Sequence, residues 1–141
     1  MTRTSLRSFG TVLTAFVVGF AATLVGCLST GAFTPVAVSD IGAVTGTWKG
    51  IVYPTSEFER ESITLTIRED GSYDVVSAQE PIGKSRGRGK IVISEGRVIF
   101  EGEKGHGVGT LLRDPAGNLM MEVDATLSDN STLSATLSRS N

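Results

Sequence analysis

Residues 118–127 read NLMMEVDATL, and their apolar side chains recur at every second position. Successive side chains of an extended strand point to opposite faces, so the odd-numbered positions from Leu119 to Leu127 share one face. Glu122 and Asp124 occupy the opposite face. The stretch therefore predicts a β-strand with one buried side and one solvated side.

The same alternation continues through the chain from residue 45 onward. Tight-turn signals such as Asp70-Gly71 separate the alternating segments. The eight predicted strands cover residues 45–53, 62–68, 72–78, 86–94, 97–103, 106–113, 118–127 and 132–139. Regular short strands joined by tight turns predict an all-β, antiparallel, up-and-down meander. Eight such strands can close into a barrel without exposed edges, and an open β-sandwich is the alternative.

The N-terminal segment has a different character. Arg3 and Arg7 precede an apolar run over residues 12–24. A basic start followed by an apolar stretch and small residues is typical of a secretory signal, and we expect that stretch to be helical. The competing interpretation is an uncleaved membrane anchor over residues 11–28, at the lower limit of spanning length. Both interpretations attach the remaining chain to a membrane.

The apolar run ends in Leu24-Val25-Gly26-Cys27, which resembles the lipobox of bacterial lipoproteins. The resemblance implies that residues 1–26 are a signal peptide that is removed. It also implies that Cys27 becomes the first residue and carries lipid, including palmitate, as its membrane partner. Since Leu28 rather than Asp follows the cysteine, the resemblance permits sorting to the outer membrane. The expected location is a cell membrane or outer membrane, with the domain in the periplasm or facing outside.

Residues 28–44 lack alternation and contain Pro35. We predict that residues 27–44 are the lipidated cysteine followed by a flexible linker, and that residues 45–141 form the barrel domain. The alternative is that Val36-Ala37-Val38 pairs with a sheet edge.

Charge and composition exclude several function classes. Without Arg3 and Arg7, 11 of the 13 basic residues remain against 15 acidic residues, a mild net charge near −4. So mild and mixed a balance does not indicate nucleic acid as a partner. The sole histidine, His106, has no second histidine or free cysteine to complete a metal site, and it gives a serine-type triad no supported base. We therefore expect no enzyme activity, no metal and no cofactor.

The first predicted strand contains Gly46-Thr47-Trp48, which resembles the Gly-x-Trp signature of lipocalins and related calycins. In that superfamily an arginine of the last strand packs across the tryptophan, and Arg139 stands at that place. The resemblance therefore implies a calycin-like barrel in which Trp48 and Arg139 form a structural plug. Stacking of a guanidinium on an indole is favourable.

The inward positions mix bulky side chains with glycine and alanine. Such an interior either holds a lipid-sized cavity or closes tightly around its own side chains. The candidate ligand-binding residues are Leu65, Tyr73, Phe100 and Met121.

Two sets of charged residues stand out. Arg86, Arg88 and Lys90 alternate, so they share one strand face and are able to hold an anion; a solvated outer face is the favoured interpretation. Glu57, Glu59 and Glu61 form an acidic cluster, which we expect to be a solvated hairpin end rather than a mouth loop.

These observations lead to one principal functional expectation. The chain is a membrane-anchored envelope lipoprotein that is not an enzyme and binds a small apolar or amphipathic ligand inside its barrel. The alternative is a ligand-free structural or protein-interaction module of the envelope, and a more remote one is a calycin-like protease inhibitor.

Overall fold

The structure of the protein is a computed structural model that describes residues 31–54, 60–78 and 85–140. Nine β-strands and one short 3₁₀ helix make up this part of the chain. The strands are β1 (Thr34–Val36), β2 (Gly46–Pro54), β3 (Glu61–Ile67), β4 (Ser72–Ser77), β5 (Ser85–Ser94), β6 (Arg97–Gly102), β7 (Gly105–Arg113), β8 (Leu119–Leu127) and β9 (Thr132–Ser140), and the helix is Ile41–Ala43.

Strands β2 to β9 form a closed antiparallel barrel. Each strand pairs with the next along the chain, and β9 returns to pair with β2. The predicted eight-stranded up-and-down barrel is therefore confirmed, and the open sandwich is wrong. The architecture is compatible with a calycin-like fold. Each observed barrel strand begins and ends within one residue of its predicted bounds, because period-two alternation and turn residues both mark the same boundaries.

Glycines permit the close strand approach that a small barrel requires. A Cβ atom at Gly50 would overlap the backbone oxygen of Thr136 on β9, and one at Gly89 would overlap that of Glu101 on β6. The absence of a side chain at these two positions lets the paired strands approach each other closely.

Residues 34–45, which we call the closing segment, cover one end of the barrel. Strand β1 pairs with Leu111–Arg113 of β7, and the Val38 amide donates to the Gly96 carbonyl at 2.9 Å. The chain then turns through the 3₁₀ helix, which Asp40 caps by accepting from the Ala43 amide. The flexible linker predicted for residues 27–44 is therefore wrong over 34–44. The alternative, in which Val36-Ala37-Val38 pairs with a sheet edge, is correct in part, because the paired strand is Thr34–Val36. Lack of alternation in this stretch reflects docking through only a few buried side chains, such as Val38 and Val44.

Trp48 is fully buried inside the barrel, next to the closing segment. Its indole N–H donates to the Val44 carbonyl at 2.8 Å, which ties the barrel wall to that segment. Arg139 pairs with Trp48 across β2 and β9, and its guanidinium carbon lies 5.4 Å from the ring centroid. The same guanidinium donates to the Thr45 carbonyl. The residues of the expected plug thus lie together at what we call the closed end of the barrel.

Candidate functional site

The half of the barrel away from the closing segment contains a cavity of about 500 Å³, which we call the cup. Its walls come from the inward faces of strands β2 to β9, and it opens at the barrel end opposite the closed end, which we call the mouth. The apolar side chains that line it include Val52, Ile63, Leu65, Val75, Phe100 and Leu133. The volume falls within the range of small-molecule sites, which are concave and mostly apolar.

Three of the four candidate ligand-binding residues line the cup, namely Leu65, Tyr73 and Phe100. The rings of Tyr73 and Phe100 meet edge to face, with centroids 5.2 Å apart. Burial raises the pKa of the Tyr73 phenol, with a further contribution from nearby Glu103. Met121 does not line the cup. It stands near the start of β8, which begins at the closed end, and there it is fully buried.

Two kinds of packing divide the interior into a filled half and an empty half. Around the closed end, Trp48, Val98, Leu111 and Met121 are fully or almost fully buried. Toward the mouth, Gly87 lines the cup, and a Cβ atom built on it meets nothing within 4 Å. The sequence predicts an interior that is either hollow or tightly filled. The barrel combines the two, with a filled half at the closed end and the cup at the mouth.

One charged cluster lies in the wall of the cup near the mouth. Glu61 is only 9% exposed, and its carboxylate accepts from the Arg86 guanidinium, with Nη2–Oε2 at 2.6 Å and Nε–Oε1 at 3.2 Å. The Ser77 hydroxyl also donates to Glu61. The hydrogen bonds from Arg86 lower the pKa of Glu61; burial opposes them, and Ser77 and the charge of Arg86 add to the lowering. The cluster is therefore an ion pair set into an apolar wall.

This cluster corrects both charged sets identified in the sequence. Glu61 is not part of a solvated hairpin end, and Glu57 and Glu59 lie outside the described residues. Arg86 differs from Arg88 and Lys90 in its partner: it lies beside a register shift between Val75 and Val76, and its half-exposed side chain pairs with the buried Glu61. Arg88 and Lys90 remain exposed.

Those two exposed cations have acidic neighbours of their own. Arg88 lies 3.7 Å from Glu103, and Lys90 lies 3.6 Å from Asp70. Exposed pairs of this kind contribute little to stability.

The inward position of Glu61 was available in the sequence. Glu61 shares the parity of Ile63, Leu65 and Ile67, so extending the alternation of β3 by one step places it inside the barrel. Its charge led to the opposite interpretation, because unpaired carboxylates are rarely buried. The partner that permits burial, Arg86, is 25 residues away and reaches it only through the irregularity in β5.

The remaining polar candidates lie on the surface. His106 is exposed beside the mouth, and Glu122 and Asp124 are exposed on the outer face of β8. Over residues 31–54, 60–78 and 85–140, no three histidine, cysteine, aspartate or glutamate side chains are grouped so that they could hold a metal ion. The same part of the chain contains no helix of the length and apolarity needed to cross a membrane.

Comparison of the chain with protein-family models, with curated proteins and with solved structures gives no match.

Proposed function

We propose that this protein binds a small apolar or amphipathic molecule in the cup while a lipid on Cys27 holds it to a bacterial envelope membrane. The observation that carries the binding function is the cup itself. It combines about 500 Å³ of space, apolar walls, one closed end and one open end.

The distribution of polarity in the cup supports an amphipathic ligand. An apolar tail would lie against Leu65 and Phe100, away from water. The ion pair of Glu61 and Arg86 lies nearer the mouth, where a polar end group would come to rest beside hydrogen-bonding groups. Entry with the tail first satisfies both ends of such a molecule.

The proposed anchor rests on the signal-like residues 1–26 and the lipobox-like Leu24-Val25-Gly26-Cys27, which lie outside the described residues. Intact-mass analysis of the protein extracted from membranes tests it. We expect a chain that starts at Cys27 and carries the mass of two or three acyl chains. A chain that still starts at Met1 would contradict the anchor.

Gly87 offers a direct test of the binding site. Gly87→Phe directs a ring into the empty part of the cup, whereas Val92→Phe places the same ring on the exposed outer face of the same strand. The lipidated chain would be reconstituted in phosphatidylcholine vesicles and titrated with a fluorescent polyene fatty acid, with protein-free vesicles as the blank.

We expect Gly87→Phe to weaken binding of the fatty acid by about tenfold or more, equivalent to about 1.4 kcal/mol. Val92→Phe should bind as the wild type does. No saturable binding by the wild type, or equal binding by both variants, would contradict the proposal.

One observation favours the alternative of a protein-interaction module. Ile51 and Tyr53 follow each other on the outer face of β2 and are 36% and 42% exposed. If the protein acts by binding a partner through this face rather than a ligand in the cup, Ile51→Ser should abolish its role in the envelope. Gly87→Phe should then leave that role intact. The opposite result supports ligand binding.

A further inference from the structure

The N-terminal part of the described chain leaves the barrel at its closed end. Strand β1 runs antiparallel to β7, and its first residue, Thr34, pairs with Arg113, the last residue of β7. Ahead of it, Gly31 lies against the ring of Pro115, in the turn between β7 and β8. The chain therefore points toward Cys27 from the tip of the closed end, on the side opposite the mouth.

The covalent distance from this exit point to the proposed anchor is short. Four peptide units join Cys27 to Gly31, and they reach at most about 14 Å when fully extended. This limit holds for any conformation of residues 27–30. The closed end must therefore stay within that distance of the lipid headgroups.

The barrel is taller than this tether is long. Gly105, at the mouth end of β7, lies eight residues before Arg113, which corresponds to about 26 Å along the strand. A strand tilt of about 40° reduces that to about 20 Å along the barrel axis. A barrel with its mouth pressed against the anchoring bilayer would place Gly31 beyond the reach of Cys27.

Phe33 provides a second reason for the closed end to face the membrane. It lies in the segment between the anchor and β1, and its side chain is 49% exposed, the largest exposed fraction among the large apolar side chains of the described residues. An exposed aromatic ring next to a lipid anchor is stabilised by contact with the interfacial region of a bilayer.

We propose that the lipid anchor fixes the orientation of the barrel, with the closed end against the bilayer and the mouth directed away from it. This proposal rests on the proposed lipidation of Cys27. Its consequence is that the cup cannot take molecules directly from the leaflet that anchors it. The ligand is therefore an amphiphile that enters the cup from the aqueous space on the side away from that leaflet.

Energy transfer to a lipid fluorophore can measure the orientation. Since acylation would occupy the single cysteine of the chain, an introduced cysteine is the sole free thiol. Ala116→Cys places a donor dye in the exposed turn of the closed end, and Ser128→Cys places the same dye in the exposed turn beside the mouth. The labelled lipoproteins would be added to preformed vesicles containing a lipid with a rhodamine headgroup.

We expect several-fold more efficient transfer from position 116 than from position 128. A matched control inserts about 20 Gly and Ser residues between Thr30 and Gly31. The flexible tether then spans about 27 Å, and the difference between the two positions should largely disappear. Equal transfer from both positions with the native tether, or stronger transfer from position 128, would overturn the orientation.

Flotation of the vesicles separates this outcome from failure of the anchor. If the protein does not float with the vesicles, the proposed lipidation fails, and the orientation that depends on it fails as well. If the protein floats and the two positions transfer equally, only the orientation is overturned. Binding of the fatty acid is a separate measurement and is unaffected by either result.

Discussion

Replacement of Trp48 by alanine tests the closed end most directly. The side chain is fully buried, donates its N–H to the Val44 carbonyl at 2.8 Å and carries the Arg139 guanidinium on its face. Truncation of a buried tryptophan to alanine costs about 3–5 kcal/mol. A domain of this size has about 5–15 kcal/mol of stability in total, so Trp48→Ala should remove about a fifth or more of it.

Two companion variants divide that loss into its parts. Trp48→Phe keeps most of the apolar bulk but removes the N–H donor, and we expect a loss of about 1–3 kcal/mol, the cost of an unsatisfied buried acceptor. Arg139→Gln removes the stacked cation from an exposed position and should cost about 1 kcal/mol or less.

Urea denaturation followed by far-ultraviolet circular dichroism is the appropriate assay. Trp48 is the only tryptophan, so tryptophan fluorescence is lost in the two Trp48 variants. A loss below about 1 kcal/mol for Trp48→Ala would refute the view that the indole joins the barrel to the closing segment.

Two further predictions concern the mouth and the barrel wall. Because the pKa of Glu61 is lowered in the folded protein, its contribution to stability should be complete above its unfolded value near 4.5 and be lost as the pH falls through the lowered value. Urea midpoints between about pH 7 and pH 3 measure this loss, and Glu61→Gln should abolish that part of the pH dependence. Gly50→Ala should destabilise the barrel by about 1–3 kcal/mol, because its methyl group meets the Thr136 backbone. Gly87→Ala should be neutral or stabilising by up to about 1 kcal/mol, since its methyl group enters the cup; equal losses for both alanine variants would contradict the role of close approach at Gly50.

The strands were predictable because one physical signal dominates them. A wall with a dry side and a wet side imposes period-two alternation, and residues such as Ile63, Leu65 and Ile67 report it without knowledge of any other strand. The proximity of Trp48 and Arg139 could be predicted from the resemblance to the calycins. The register of β2 and β9 places the two residues opposite each other.

The features that sequence reasoning missed depend on contacts between distant segments. The burial of Glu61 requires Arg86, and the position of Arg86 requires an irregular register between β4 and β5 that no local pattern announces. Docking of residues 34–44 is likewise a tertiary effect, since a three-residue strand and one turn of 3₁₀ helix leave too few positions for periodicity. The separation of a filled half from an empty half follows from which strand end each side chain occupies.

The pairing of β1 with β7 has a consequence for the solubility of the protein. Strand β7 is nine residues long whereas β6 is six, so β7 extends past its neighbour, and β1 satisfies the backbone groups of Leu111–Arg113 that β6 does not reach. A chain shortened to begin at Thr45 would leave those amides and carbonyls without partners on a short exposed strand edge. Exposed edges of this kind pair with strands of other molecules. The shortened protein should therefore dimerise or precipitate at concentrations where the longer chain does not.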